Sequence, residues 1–246
     1  MPMGVDSNPE RPVVRRLNAL RRLSEAGAGA IKAALRERIL RSDPGTDIVC
    51  EGDRPEIVRF VLSGWACRYK SLEDGRRQIV NFVLPGDSCD AFMYLFSGMD
   101  HSISALTPVI YSEIERTAFE KLVSIDATVA EAFYCEPLAV ASIQREWAIN
   151  LGRRDALERV AHLICELFVR LEMVGLVEGS SFALPVTQMD LADAAGLSTV
   201  HLNRTLQELR ASGLITLKER HLNIHDMQAL SQLAMFNPNY LHANRK

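Results

Sequence analysis

Apolar and polar positions along the chain change rhythm three times. Between residues 13 and 40 the apolar residues fall at helical spacing. Val14, Leu17, Leu20 and Leu23 form one pattern and Ala30–Leu35 a second. Ser42-Asp43-Pro44-Gly45 then breaks the chain. From Thr46 to Glu115 the rhythm shortens. β-Prone runs at Ile57–Leu62, Trp65–Tyr69, Gln78–Leu84, Ser102–Leu106 and Val109–Ile114 alternate with turn signals. The turns are Glu51-Gly52-Asp53, Ser63-Gly64, Glu73-Asp74-Gly75 and Pro85-Gly86-Asp87. Strands at this spacing predict an antiparallel sandwich, roll or barrel.

Helical periodicity returns at Thr117–Val123 and again after Pro137, a residue that suits the first turn of a helix. From there Val140, Ile143, Trp147 and Leu151 follow at steps of three, four and four. That is one apolar stripe on a helix of roughly 15 residues, or ~22 Å. The stripe fits a dimer seam between two domains, and it equally fits packing against its own domain. Gly152-Arg153-Arg154-Asp155 reads as a solvated hinge, with Asp155 able to cap a further helix that buries Leu157, Val160, Ala161, Ile164, Leu167 and Phe168. The expected organisation is a front domain over 1–136, a linking helix over 137–152 and a final domain over 153–246.

The most informative stretch is Thr187–Asp226, TQMDLADAAGLSTVHLNRTLQELRASGLITLKERHLNIHD. Thr187 and Asp190 are spaced as a capping box with Asp in place of Glu, and Gly196 is placed to end that helix in a left-handed conformation. Ser198 can cap a second helix in which Leu202, Leu206 and Leu209 share one face. Val200, Arg204 and Gln207 project opposite, flanked by Thr199, Asn203 and His201. Gly213 ends this helix. Leu214–Leu217 and Leu222–Ile224 then read as two short strands joined through Glu219-Arg220, and Asp226 can cap a last helix through Leu233. Helix, short turn, helix and hairpin in that order is a winged helix-turn-helix. The outward residues suit a DNA groove. Arg can pair with guanine through two bonds, Asn or Gln with adenine, and Ser or Thr at a helix start can hold a phosphate. Thr187, Ser198, Thr199, Val200, His201, Asn203, Arg204 and Gln207 are therefore the candidate DNA-binding residues, with Arg204 the candidate base reader.

Composition changes this picture little. The 246 residues are 48% hydrophobic and 24% charged, an ordinary globular balance, and the net charge of -3 advertises no nucleic-acid partner. From residue 153 onward ten Arg and Lys balance ten Asp and Glu. No apolar run is long enough to span a membrane, and the N-terminal arginines precede no signal-peptide core, so a cytoplasmic protein without membrane partners is expected. The five cysteines, Cys50, Cys67, Cys89, Cys135 and Cys165, are scattered without a CxxC pair, which fits free thiols. No catalytic set, P-loop or GxGxxG points to an enzyme, and no cofactor or metal site is expected.

With these features together, the chain resembles the CRP/FNR family, the cyclic-AMP receptor protein and fumarate–nitrate reductase regulators. The resemblance rests on VLSGWACRYKSLEDGRRQIVNFVLPGD (Val61–Asp87), LGRRDALERVAHLICEL (Leu151–Leu167) and the helix-turn-helix. It implies an α+β fold: an N-terminal jelly-roll-like β-roll of the cyclic-nucleotide-binding type, a long dimerisation helix, and a C-terminal winged helix-turn-helix. It further implies a homodimer on a palindromic site with half-sites ~34 Å apart, with Val140, Ile143, Trp147 and Leu151 at the seam and RNA polymerase as a further partner. In the family the arginine at the position of Arg204 contacts guanine, and Thr187, Ser198 and His201 fall where members touch phosphates.

Two departures bear on the signal. The cyclic-AMP cassette would have a glutamate where Asp87 stands and an Arg-Ser pair where Met99-Asp100 leads into His101-Ser102. An aspartate there repels a phosphate, so cyclic AMP is not the expected effector. No cysteine precedes Cys50, so the N-terminal iron–sulfur cluster of the oxygen-sensing branch has no ligands. Val200 also replaces a frequent glutamate of the family and cannot accept a bond from cytosine, so a different half-site is expected. His101, Cys67 and Cys89 are minor candidates for a sensor. The competing reading is a ligand-binding or protein-interaction adaptor that keeps a winged helix without specific DNA binding.

Overall fold

The computed structural model describes residues 8–243; the ends of the two outer spans read from the sequence, 1–7 and 244–246, lie outside them. The described chain forms two compact units. Residues up to Ala66 with Val83–Leu138 make the first, and Cys67–Phe82 with Ala139–Ala243 the second.

The first unit opens with helices α1 (Arg11–Leu20) and α2 (Glu25–Glu37), the latter capped by Ser24, whose hydroxyl accepts from Gly27 N at 2.9 Å. Strands β1 (Ile39–Ser42), β2 (Asp47–Val49) and β3 (Ile57–Ser63) follow, then β6 (Ser102–Ala105), β7 (Val109–Glu115) and helix α3 (Arg116–Val123). The intervening β4 (Ala66–Ser71) and β5 (Arg77–Val83) belong almost entirely to the second unit. β7 pairs antiparallel with both β1 and β3, and β2 pairs antiparallel with β6. Strand alternation gives β3 two roles. Val58, Phe60 and Leu62 join Val13, Leu17, Ile31, Phe119 and Phe133 in a core beneath the helices, whereas Val61 joins Val49, Cys89, Ile103 and Val109 inside the roll. The turn at Gly64 needs glycine twice over, because its φ is +81° and a Cβ would lie 2.1 Å from the Pro108 carbonyl oxygen.

Helix α4 runs over Ala127–Arg153, 27 residues. The sequence reading started it at Pro137, which instead lies inside it. An interior proline costs about 3 kcal/mol, and the preceding turns offset this by burying Val129, Ala132 and Phe133. Asp126 fixes the true start. It accepts from Val129 N at 2.9 Å and from the hydroxyls of Ser24 and Thr128, each at 2.6 Å.

The second unit contains the β4–β5 strand pair, the end of α4, and α5 (Ala156–Val174), whose Asp155 and Glu158 form a reciprocal capping box. It continues through β8 (Ser181–Ala183), α6 (Gln188–Ala195), α7 (Thr199–Ala211), β9 (Ile215–Lys218), β10 (His221–Ile224) and α8 (Met227–Leu233). α6, α7 and α8 pack on α5, and β10 lies between β8 and β9. No helix among the described residues is long and apolar enough to cross a membrane.

Candidate nucleic-acid interface

Local chemistry builds the helix-turn-helix. Asp190 N donates to Thr187 Oγ1 at 3.1 Å while Thr187 N donates to Asp190 Oδ2 at 3.0 Å, closing the capping box of α6. Gly196, at φ +61°, ends α6, and Leu197 alone separates it from Ser198. Ser198 accepts from His201 N at 3.2 Å and starts α7. Leu202, Thr205, Leu206 and Leu209 form the buried side of α7. The wing is the β9–β10 hairpin, turned by Glu219 and Arg220, both at positive φ as a two-residue type I′ turn requires.

Every candidate contact residue lies in this motif. Thr187, Ser198, Thr199, Val200, His201, Arg204 and Gln207 are exposed and Asn203 is half-buried. Val200, Arg204 and Gln207 make one line on α7, and Val200 is 71% exposed. Among the described residues nothing in the chain holds Arg204, which leaves its guanidinium able to reach outward. Thr187 differs from the expectation in one respect. Its hydroxyl proton goes to Asp190 Oδ2 at 2.6 Å, so its oxygen serves the helix start and is not a free donor for a phosphate. Ser198 keeps its proton available.

The motif stands on a buried polar core. Glu166 on α5 accepts from Trp147 Nε1 at 3.1 Å, Tyr240 O–H at 2.8 Å and Arg170 Nη1 at 3.2 Å. Burial raises the Glu166 carboxyl, opposed by Arg170 and by these hydrogen bonds. His162, fully enclosed on the same helix, accepts at Nδ1 from Asn150 Nδ2, 3.1 Å away. Arg154, read from sequence as part of a solvated hinge, ties α4 to the end of α8 through Asn150 Oδ1 at 2.9 Å and the Ala234 carbonyl at 3.1 Å.

Comparison with known proteins matches residues 158–233 to the Crp-like helix-turn-helix domain and residues 40–126 to the cyclic nucleotide-binding domain. The nitrogen fixation regulation protein FixK of Azorhizobium caulinodans is 31% identical over 184 residues, covering 72% of this chain and 71% of that protein. The chain belongs to the CRP/FNR family. The transcriptional activator protein FnrL of Cereibacter sphaeroides is 28% identical over 200 residues, 77% of each chain. The solved structure of FixK2 from Bradyrhizobium japonicum superposes with a TM-score of 0.70 at 28% identity, over 79% of this chain and 96% of that one. The family and the motif make this a DNA-binding transcription regulator, with the α+β architecture of β-roll, long helix and winged helix read from the sequence.

In this CRP/FNR regulator the positions of the nucleotide cassette are filled by internal contacts. Asp87 accepts from Leu84 N at 2.9 Å and pairs with Arg16 at 3.4 Å. Asp90 pairs with Arg59 at 2.7 Å, and Ser88 Oγ donates to Glu136 at 2.8 Å. His101 Nδ1 lies 2.6 Å from Asp100, and Ser102 Oγ accepts from Glu51 N at 3.0 Å. Cys67, Cys89 and Cys165 are buried, and burial pushes the Cys165 thiol up to about 12. Cys50 is exposed, yet residual burial and then Asp53 and Asp47 raise its thiol, the opposite of an activated thiolate. No cluster of His, Cys, Asp or Glu fit for a metal occurs among the described residues.

The four residues expected at the seam are unevenly buried. Ile143 is 0% and Trp147 5% exposed within a single chain, and Val140 is half-buried. Trp147 meets Phe82 edge-on at 5.8 Å besides bonding Glu166. Their stripe faces the chain's own core, and of the four only Leu151 is exposed.

Proposed function

We propose that this regulator acts as a homodimer that lays α7 of each copy into successive major grooves of a palindromic site, Arg204 reading a base in each half. Thr199, Val200, Asn203 and Gln207 line the same groove. Ser198 and His201 take phosphates, and Thr187 supports them by holding the start of α6. The observation that carries this reading is the exposed Arg204, unpartnered among the described residues, on the outward face of a helix-turn-helix that is capped at both helix starts.

The dimer seam is the exposed side of α4, where Tyr134, Leu138, Ala141, Arg145 and Ala148 recur at steps of four, three, four and three. Leu138 is 66% exposed. The site of action is the cytoplasm, with RNA polymerase as the further partner and a signal other than cyclic AMP as the control.

Selection from a random duplex pool by the purified chain tests the reading. Enrichment of a two-fold site is expected, and Arg204→Ala then loses about 1–3 kcal/mol of discrimination at one base per half-site. Equal weakening on all sequences would make Arg204 a phosphate contact. No enrichment, with or without cell extract, would favour a protein-interaction adaptor, a role that the even charge of the C-terminal half also suits.

A further inference from the structure

The β4–β5 hairpin falls inside the 40–126 match to a cyclic nucleotide-binding domain, yet Cys67–Phe82 pack into the unit that carries the helix-turn-helix. Its side chains reach α6 directly. Arg77 Nη2 lies 3.0 Å from Asp193 Oδ2 and 3.4 Å from Asp190 Oδ1, and Arg77 Nε lies 3.1 Å from the same Asp193 oxygen. Gln78 Nε2 donates to the Asp193 carbonyl at 2.6 Å. The Tyr69 ring supports the guanidinium at 5.4 Å. At the base of the hairpin, Arg170 of α5 donates to Asn81 Oδ1 at 3.1 Å and to the Phe82 carbonyl at 2.8 Å.

The charge on α6 makes this contact consequential. Asp190 and Asp193 are the two charged residues in QMDLADAA, and both are acidic. A first helix that approaches DNA with two uncompensated carboxylates repels phosphates, most strongly within the ~8 Å Debye length of physiological salt. Arg77 meets both carboxylates from another element, while Gln78 pins the backbone of α6 at Asp193.

We infer that Arg77 and Gln78 are positioning residues of the DNA-binding unit, which fasten α6 to the β4–β5 hairpin and offset half of its negative charge toward DNA. The inference rests on the DNA reading above for its second half and on geometry alone for its first.

The test uses the full-length chain. Hydrogen exchange without DNA should show faster exchange of the Leu191–Ala195 amides in Arg77→Ala, and to a smaller degree in Gln78→Ala. Unchanged exchange in both overturns the latch whether or not DNA binds. On the selected duplex, Arg77→Ala should bind about fivefold more weakly, with a similar loss on an unselected duplex, an unchanged base preference, and a gap that narrows as salt rises. The charge swap Arg77→Asp with Asp193→Arg should recover most of the loss, which a purely structural defect would not. Unchanged or tighter binding by Arg77→Ala, or a folded swap variant that stays weak, overturns the role in DNA binding. A wild-type chain that retains no duplex removes that role together with the DNA reading, and the exchange data still decide the latch.

Discussion

His162 has no exposed surface, stacks on Tyr240 at 5.9 Å and meets Phe236 edge-on at 5.1 Å. Burial, and then the positive charge of Arg154, lowers its pKa from 6.5 to about 3. As pH falls below 6.5 the unfolded chain takes up the proton and the folded chain does not. The stability His162 supports is therefore complete above pH 6.5 and lost progressively toward pH 3. Urea midpoints should decline between pH 7 and 5, and His162→Gln should decline less steeply. Parallel slopes for the two proteins would refute the assignment, because all other titrating groups are common to both. At this scale sequence reading succeeds where the partner is near. Thr187 with Asp190, Ser198, Asp155 with Glu158, and Asp226 with the Ala229 amide all act across three residues and announce themselves. It fails for Arg77, whose partner Asp193 lies 116 residues away, and for Glu166, two of whose three donors, Trp147 and Tyr240, lie 19 and 74 residues away.

Among the elements, the long strands and every helix of the DNA-binding motif were legible because their apolar periodicity is strong. β1, β2 and β8, of three or four residues each, were not read from the sequence and take their place from pairing. The start of α4 was misplaced because the proline rule is local, whereas the burial of Val129 and Phe133 is not. The stripe Val140, Ile143, Trp147 was correctly apolar, but periodicity does not say which surface covers it. The Gly64 turn offers a sharp test of element packing. Gly64→Ala must adopt φ +81° and displace the Pro108 carbonyl, so a loss of more than about 1 kcal/mol is expected from urea unfolding. A change of a few tenths would mean that the β3–β4 turn and the segment around Pro108 yield more easily than their close approach implies.

For the whole molecule, the sequence rhythm separates a β-rich front from a helical back. The compact units differ from the sequence boundaries: residues 67–82 lie in the front by sequence and with the helix-turn-helix in space, and the boundary between Leu138 and Ala139 cuts the linking helix read over 137–152. No local signal marks this. A strand pair reads alike whichever unit receives it. The proposed dimer is tested at the same scale. Leu138→Asp places a charge on the exposed side of α4 without touching α6 or α7, and sedimentation should show a monomer that has lost affinity for a full palindrome. A variant that still sediments as a dimer would move the seam elsewhere.

The chain has two tryptophans, and they fall one to each unit: Trp65 in the first, Trp147 in the second, both sequestered from solvent. Trp147 donates to a carboxylate and abuts an aromatic ring, whereas Trp65 sits at a β-turn with its backbone bonded to Thr107 and Leu106. The molecule thus carries two native fluorophores in unlike surroundings. Their emission can report the loosening of the first unit and of the unit that carries the helix-turn-helix as separate events, in an unlabelled protein and in real time.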